Sequence, residues 1–139
     1  MYFGTGWSLI LFSFPIAPEL TIDNYYMQFV PQITAATDFF TYMTIAMMVS
    51  AAIMIWMEWK TNYKWYPIVV LVGVLAATGL TTEFILPLNE IMREGIKDPV
   101  VLQETLDKWM MLNKVRVGLW TVQWTALMLY FATKLYKAQ

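Results

Sequence analysis

Six residues of one C-terminal stretch could do chemistry together: Trp109, Asn113, Arg116, Trp120, Gln123 and Leu127. At 100° per residue they fall within about 80° of arc on a helix. The face alternates aromatic rings with an amide, a guanidinium and a second amide. Rings can stack on a planar molecule, and the polar groups can hold its oxygens. An arginine near the centre of a membrane span costs about 2.5–3.5 kcal/mol on insertion scales. A face carrying both Arg116 and Gln123 is therefore expected to point into a helix bundle.

The neighbouring apolar stretch supplies a partner for this face. Thr81, Thr82 and Glu83 occupy its last turns, just before Pro87 and Asn89. The two helices run antiparallel, so Glu83 and Arg116 are expected at similar depth. A buried carboxylate beside a guanidinium stays ionised, each charge offsetting the desolvation of the other. The expectation is a Glu83–Arg116 pair with Asn89 and Asn113 beside it, walled by Trp109 and Trp120. The plainer reading of the same residues is interhelical glue, worth about 0.6–2 kcal/mol per polar contact.

Composition dictates the elements that position this face. The chain has 139 residues, of which 59% are hydrophobic and 14% charged. Its mean hydropathy is +0.52. Soluble domains average nearer 45–50% apolar and about 25% charged. The reading is a single all-α membrane domain over 1–139. A net charge of −1 gives no electrostatic reason to expect nucleic acid. Without His or Cys, the usual zinc, haem and iron–sulfur ligand sets are missing. No metal and no cofactor are expected.

A crossing helix needs about 20 mostly apolar residues. Three stretches meet this, at about 39–57, 66–88 and 115–135. The N-terminal stretch is shorter and ends at Pro15 and Pro18, which reads as a short first span. Over 19–38, apolar and tyrosine residues at helical spacing suggest an interfacial segment interrupted at Pro31. Gly95 is placed to end a short helix that begins near Asn89. Asp98 followed by Pro99 reads as an N-cap and first helical residue. A long last helix, about 99–134, then begins in water and enters the membrane. The architecture expected is an integral membrane four-helix bundle: a short first span, an interfacial segment and a last helix projecting from the membrane. The Lys/Arg count is nearly balanced across the two sides, but Lys60, Lys64, Lys134 and Lys137 sit in short flanks and favour both termini and the 58–66 loop in the cytoplasm; the expected location is a bacterial cytoplasmic membrane.

The strings LPLNEIM (86–92) and WMMLNKVR (109–116) carry a resemblance. They resemble the anthrone oxygenase-like family of small four-span membrane proteins, which pair Pro-x-Asn with a later Trp-x3-Asn/His-x2-Arg. That pattern falls on Pro87, Asn89, Trp109, Asn113 and Arg116. The resemblance implies a four-helix membrane bundle, with cofactor-free oxygenation of polycyclic anthrones in a few members. The short first span departs from the family pattern, and shared fold does not carry function.

Two functions compete on these residues. The leading one is an accessory or structural subunit, packed against a larger membrane complex or a second copy of itself, with membrane lipids around it. The alternative is a cofactor-free oxygenase acting on a planar phenolic or quinone-like molecule. Such an enzyme must remove a proton and stabilise an enolate. Glu83 would be the base, Arg116 the oxyanion partner, and Asn89 and Asn113 the orienting donors. Trp109, Trp120 and Gln123 would bind the substrate. A tight Glu83–Arg116 pair would make Glu83 a poor base, so the two roles conflict.

Overall fold

A computed structural model describes residues 1–138. It is all-helical, with no strand among the described residues. Helix α1 spans Tyr2–Ser8, continues as a π-type turn over Leu9–Ser13 and tightens to 3-10 geometry over Phe14–Glu19. Helix α2 spans Tyr25–Met57 and α3 spans Trp65–Leu80. A π segment, Thr81–Ile85, joins α3 without a break to α4, Leu86–Glu94. Helix α5 spans Pro99–Lys137.

Two of these rods, Tyr25–Met57 and Asn62–Glu94, are long and apolar enough to cross a membrane. Helix α5, which carries the polar stripe, is not one of them. Local chemistry explains the helix boundaries. Gly95 adopts φ +97°, a conformation that side chains with a Cβ resist, and it ends α4. Asp98 accepts a hydrogen bond from the Val100 amide at 2.9 Å and caps α5 ahead of Pro99. Both boundaries are as the sequence predicts.

One expectation is corrected. No separate interfacial segment forms over 19–38, because α2 runs unbroken through Pro31. Proline removes one backbone bond and crowds the preceding turn, yet the helix packs into one apolar cluster before it, through Tyr25 and Val30, and after it, through the partly buried Ile33. Tyr25 and Val30 are buried in the same apolar cluster as Met92, Ile96, Leu102 and Leu106. The Tyr25 hydroxyl donates to the Met92 carbonyl at 3.3 Å and accepts from the Ile96 amide at 2.6 Å. It thereby satisfies backbone groups that the end of α4 leaves free. The last helix is about 58 Å long at 1.5 Å per residue. Its first turns bury Leu102 and Leu106 against α4 and the α1–α2 connection.

The α3–α4 rod and α5 form an antiparallel hairpin of constant register. Tyr66 faces Tyr130, Gly73 faces Gln123, Thr81 faces Arg116 and Asn89 faces Trp109. Helix α1 lies antiparallel along another side of α5, where Phe3 stacks on Trp124 and Trp7 donates to Thr121. The absence of a Cβ at Gly6 allows this approach. A Cβ there would sit 2.7 Å from Val117 Cγ2 and 2.8 Å from Trp120 Cε3.

Candidate functional site

The stripe of α5 faces inward, as its spacing predicts. Trp109, Asn113, Trp120 and Gln123 are all buried, and Arg116 is half-buried. They form one connected string. Trp109 donates its indole N–H to Asn89 Oδ1 at 2.9 Å. Asn113, wholly inaccessible, donates to the Trp109 carbonyl at 2.8 Å and accepts from the Arg116 guanidinium through Oδ1. Arg116 reaches Thr81 Oγ1 at 3.3 Å and lies over the Trp120 ring at 4.7 Å. Phe14 and Phe29 stand edge-on to Trp109, and Tyr2 packs against Trp120 with ring centres 4.8 Å apart.

Glu83 is outside this string. Its side chain is exposed and forms no ion pair with Arg116. The reason is azimuth. The inward face of the rod is set by Val70, Val74, Ala77, Thr81 and Ile85, each three or four residues from the last. Glu83 falls two residues from both Thr81 and Ile85, on the opposite side. The antiparallel register places it at the depth of Arg116, but the helix turns it away. Thr81 takes the position expected of the carboxylate.

The string faces a cavity of about 980 Å³ enclosed by α1, α2, the α3–α4 rod and α5. Asn89, Trp109, Arg116, Trp120 and Gln123 are on its wall, while Glu83 and Asn113 are not. Among the described residues, Arg116 is the one charged residue of that wall. Its Nε and the Gln123 Nε2 are buried donors with no hydrogen-bond partner. Such groups are costly to bury unmatched, about 1–3 kcal/mol each. The cavity opens sideways between α1 and α2, where the wall residues Phe12, Ile16 and Ile45 are 68, 54 and 55% exposed.

Tyr2 and Thr44 are site residues that sequence reasoning missed. The Tyr2 hydroxyl donates to the Phe40 carbonyl at 2.9 Å and hydrogen-bonds the Thr44 hydroxyl at 2.6 Å, where either oxygen can be the donor, strapping α1 to α2 over the cavity. No local pattern singles out Tyr2. Thr81, by contrast, could have been found from the 70–74–77 stripe.

A second polar cluster lies at the other end of the hairpin. Glu58 accepts from Lys134, from Thr61 at 2.7 Å and from Tyr130 at 2.9 Å. It is 4% exposed, shielded by these neighbours at the edge of the molecule. The Lys134 ammonium, then the Thr61 hydroxyl, holds its carboxyl down to about 2, against a smaller upward push from lost hydration.

Compared with known proteins, the chain matches no family model, no curated protein and no solved structure.

Proposed function

We propose that this chain is an integral membrane four-helix protein that binds a planar, oxygen-bearing, lipid-soluble molecule of phenolic or quinone-like character. One observation carries the reading: among the described residues, Arg116 is the lone charge on the wall of a large, mostly apolar cavity, with no carboxylate opposite it. A half-buried guanidinium without a counter-ion, its Nε buried and unpartnered, favours an anionic or strongly accepting oxygen. Trp109 and Trp120 offer ring surfaces beside it. The two long apolar rods, and an α2 that buries only Tyr25, Val30 and Ala51, support placement in a bilayer. The positive residues flanking the 58–66 loop and the C-terminus favour a cytoplasmic location for both ends. The resemblance to anthrone oxygenase-like proteins fits the same ligand class, since Asn89, Trp109 and Arg116 of its motif share the cavity wall. With Glu83 turned outward, the wall holds an oxyanion partner but, among the described residues, no carboxylate base. The support is for binding, ahead of proton abstraction.

The test is saturable quenching of tryptophan fluorescence by a 1,8-dihydroxyanthraquinone in purified protein. Arg116→Met should weaken it about 10- to 100-fold, the range for a hydrogen bond to a charged group. Equal affinity in the two proteins would refute the reading.

A second reading, an accessory subunit of a larger membrane assembly, draws on the sparse burial along α2. An exposed apolar helix suits a protein partner as well as lipid. The mass of the particle extracted in mild detergent decides it: a single chain with bound lipid and detergent would exclude the subunit role.

A further inference from the structure

We infer that the molecule bound in this cavity has a hydrocarbon tail as well as a planar oxygenated ring, the tail lying in the cleft between α1 and α2. This rests on the binding reading above. The argument begins with the length of the cavity. Its wall follows α2 from Gln28 to Met48, twenty residues or about 30 Å. The polar part is much shorter. Arg116 and Gln123 are seven residues apart on one face of α5, about 10 Å along the axis, with Trp120 between them. Their unpartnered donors, Arg116 Nε and Gln123 Nε2, mark the ends of a site the size of a small fused-ring system. Gln123 is 3% exposed and wedged against Gly73, where a Cβ would come within 2.7 Å of its amide. Its amide is therefore held in place on the wall.

The rest of the cavity has a different character. Beyond the Tyr2–Thr44 strap, its α1 and α2 sides carry Leu9, Phe12, Ile16, Phe29 and Ile33, with Asn89 and Trp109 on the opposite, α4–α5 side. A tail-less ring bound at Arg116 would leave about two-thirds of the length unfilled. The volume points the same way, since about 980 Å³ lies at the upper end of the roughly 300–1,000 Å³ typical of small-molecule sites. Phe12 and Ile16 form an apolar lip on the α1 side of the sideways opening. A tailed molecule could enter through that lip from the acyl-chain region with its tail still among hydrocarbon. Gln28 and Gln32 stand exposed at the far end of the cleft and close its apolar stretch.

The experiment compares one benzoquinone ring carrying a decyl tail with the same ring carrying a methyl group. Binding is read by tryptophan quenching in phosphatidylcholine nanodiscs. Each ligand is scored as the ratio of wild-type to variant affinity, so its partition into lipid cancels. The variant is Ala36→Phe, which fills the cleft two to three turns along α2 from Thr44 and leaves Arg116, Trp120 and Gln123 untouched. The decyl compound should lose at least tenfold, and the methyl compound should change less than twofold. A decyl analogue with a photoreactive tail end gives an independent readout. It should label the cleft at Leu9, Phe12 or Ile33, whether or not Ala36→Phe folds. Equal ratios for both ligands, or labelling confined to outward residues such as Val72 and Phe84, would overturn the tail while leaving ring binding intact. If neither compound quenches the wild type saturably, the binding reading itself fails.

Discussion

Trp109 and Asn89 are joined across the α4–α5 interface by a 2.9 Å hydrogen bond from the indole N–H to the amide oxygen, and both residues are buried. The bond fixes the ring that forms one end of the cavity wall. The Trp109 carbonyl in turn accepts from Asn113, which holds Arg116. Position at the guanidinium is thus set by a relay that begins on α4. Trp109→Phe should leave Asn89 Oδ1 buried and unmatched, costing about 1–3 kcal/mol. Thermal unfolding by circular dichroism should show the loss. Asn89→Leu combined with Trp109→Phe should recover part of it, because no orphan acceptor remains.

Glu83→Gln should change neither stability nor ligand affinity measurably. The side chain is exposed and absent from the cavity wall, and substitutions at such positions usually stay within about 0.5 kcal/mol. Thr81→Val, at the inward position two residues earlier, removes an acceptor of Arg116 and should weaken ligand binding. Quenching titrations on the two variants check both statements, and a larger effect at Glu83 would contradict the azimuth argument.

Glu58 should make stability depend on pH in the acid range. Its carboxyl pKa is lowered from 4.5 to about 2 by Lys134 first and Thr61 second. A depressed carboxylate contributes stability above its unfolded pKa and loses it as pH falls through the folded one. The contribution is therefore complete above about pH 5 and gone near pH 2. Glu58→Gln should unfold at a lower temperature than wild type at pH 7. The gap should narrow below pH 4.5 and close near pH 2.

Gly6→Ala should push α1 away from α5. The added methyl would meet Val117 Cγ2 at 2.7 Å and Trp120 Cε3 at 2.8 Å, and neither group sits at the end of a long flexible side chain. Overpacking of this kind costs about 1–3 kcal/mol. Gly4→Ala, with open space around it, is the matched control and should be neutral or slightly stabilising. Melting temperatures of the pair test the close approach.

Gly95→Ala should destabilise the turn between α4 and α5. A φ of +97° is strained for any residue with a Cβ, at about 1–3 kcal/mol. Its effect should appear in thermal unfolding while ligand affinity is retained, because the residue is not on the cavity wall.

What the chain alone determined was local and periodic. Gly95, Asp98 and Pro99 mark the end of α4 and the start of α5 through chemistry within a few residues. The 109–123 stripe declares its shared face through 3.6-residue spacing, so the burial of Trp109, Asn113, Trp120 and Gln123 was legible. Antiparallel depth was legible too, and it correctly brought the end of the third stretch beside Arg116. The tertiary structure decided rotation, continuity and space. Rotation turned Glu83 outward and Thr81 inward, because depth says nothing about which way a side chain points around its axis. Continuity carried α2 through Pro31, because packing of Tyr25 and Val30 before it and Ile33 after it offsets one lost backbone bond. The space between α1 and α2 depends on where four separate rods come to rest. Tyr2, which straps that space at one end, has no signal in its neighbours, since its partners Thr44 and Trp120 are brought to it only by the packed fold.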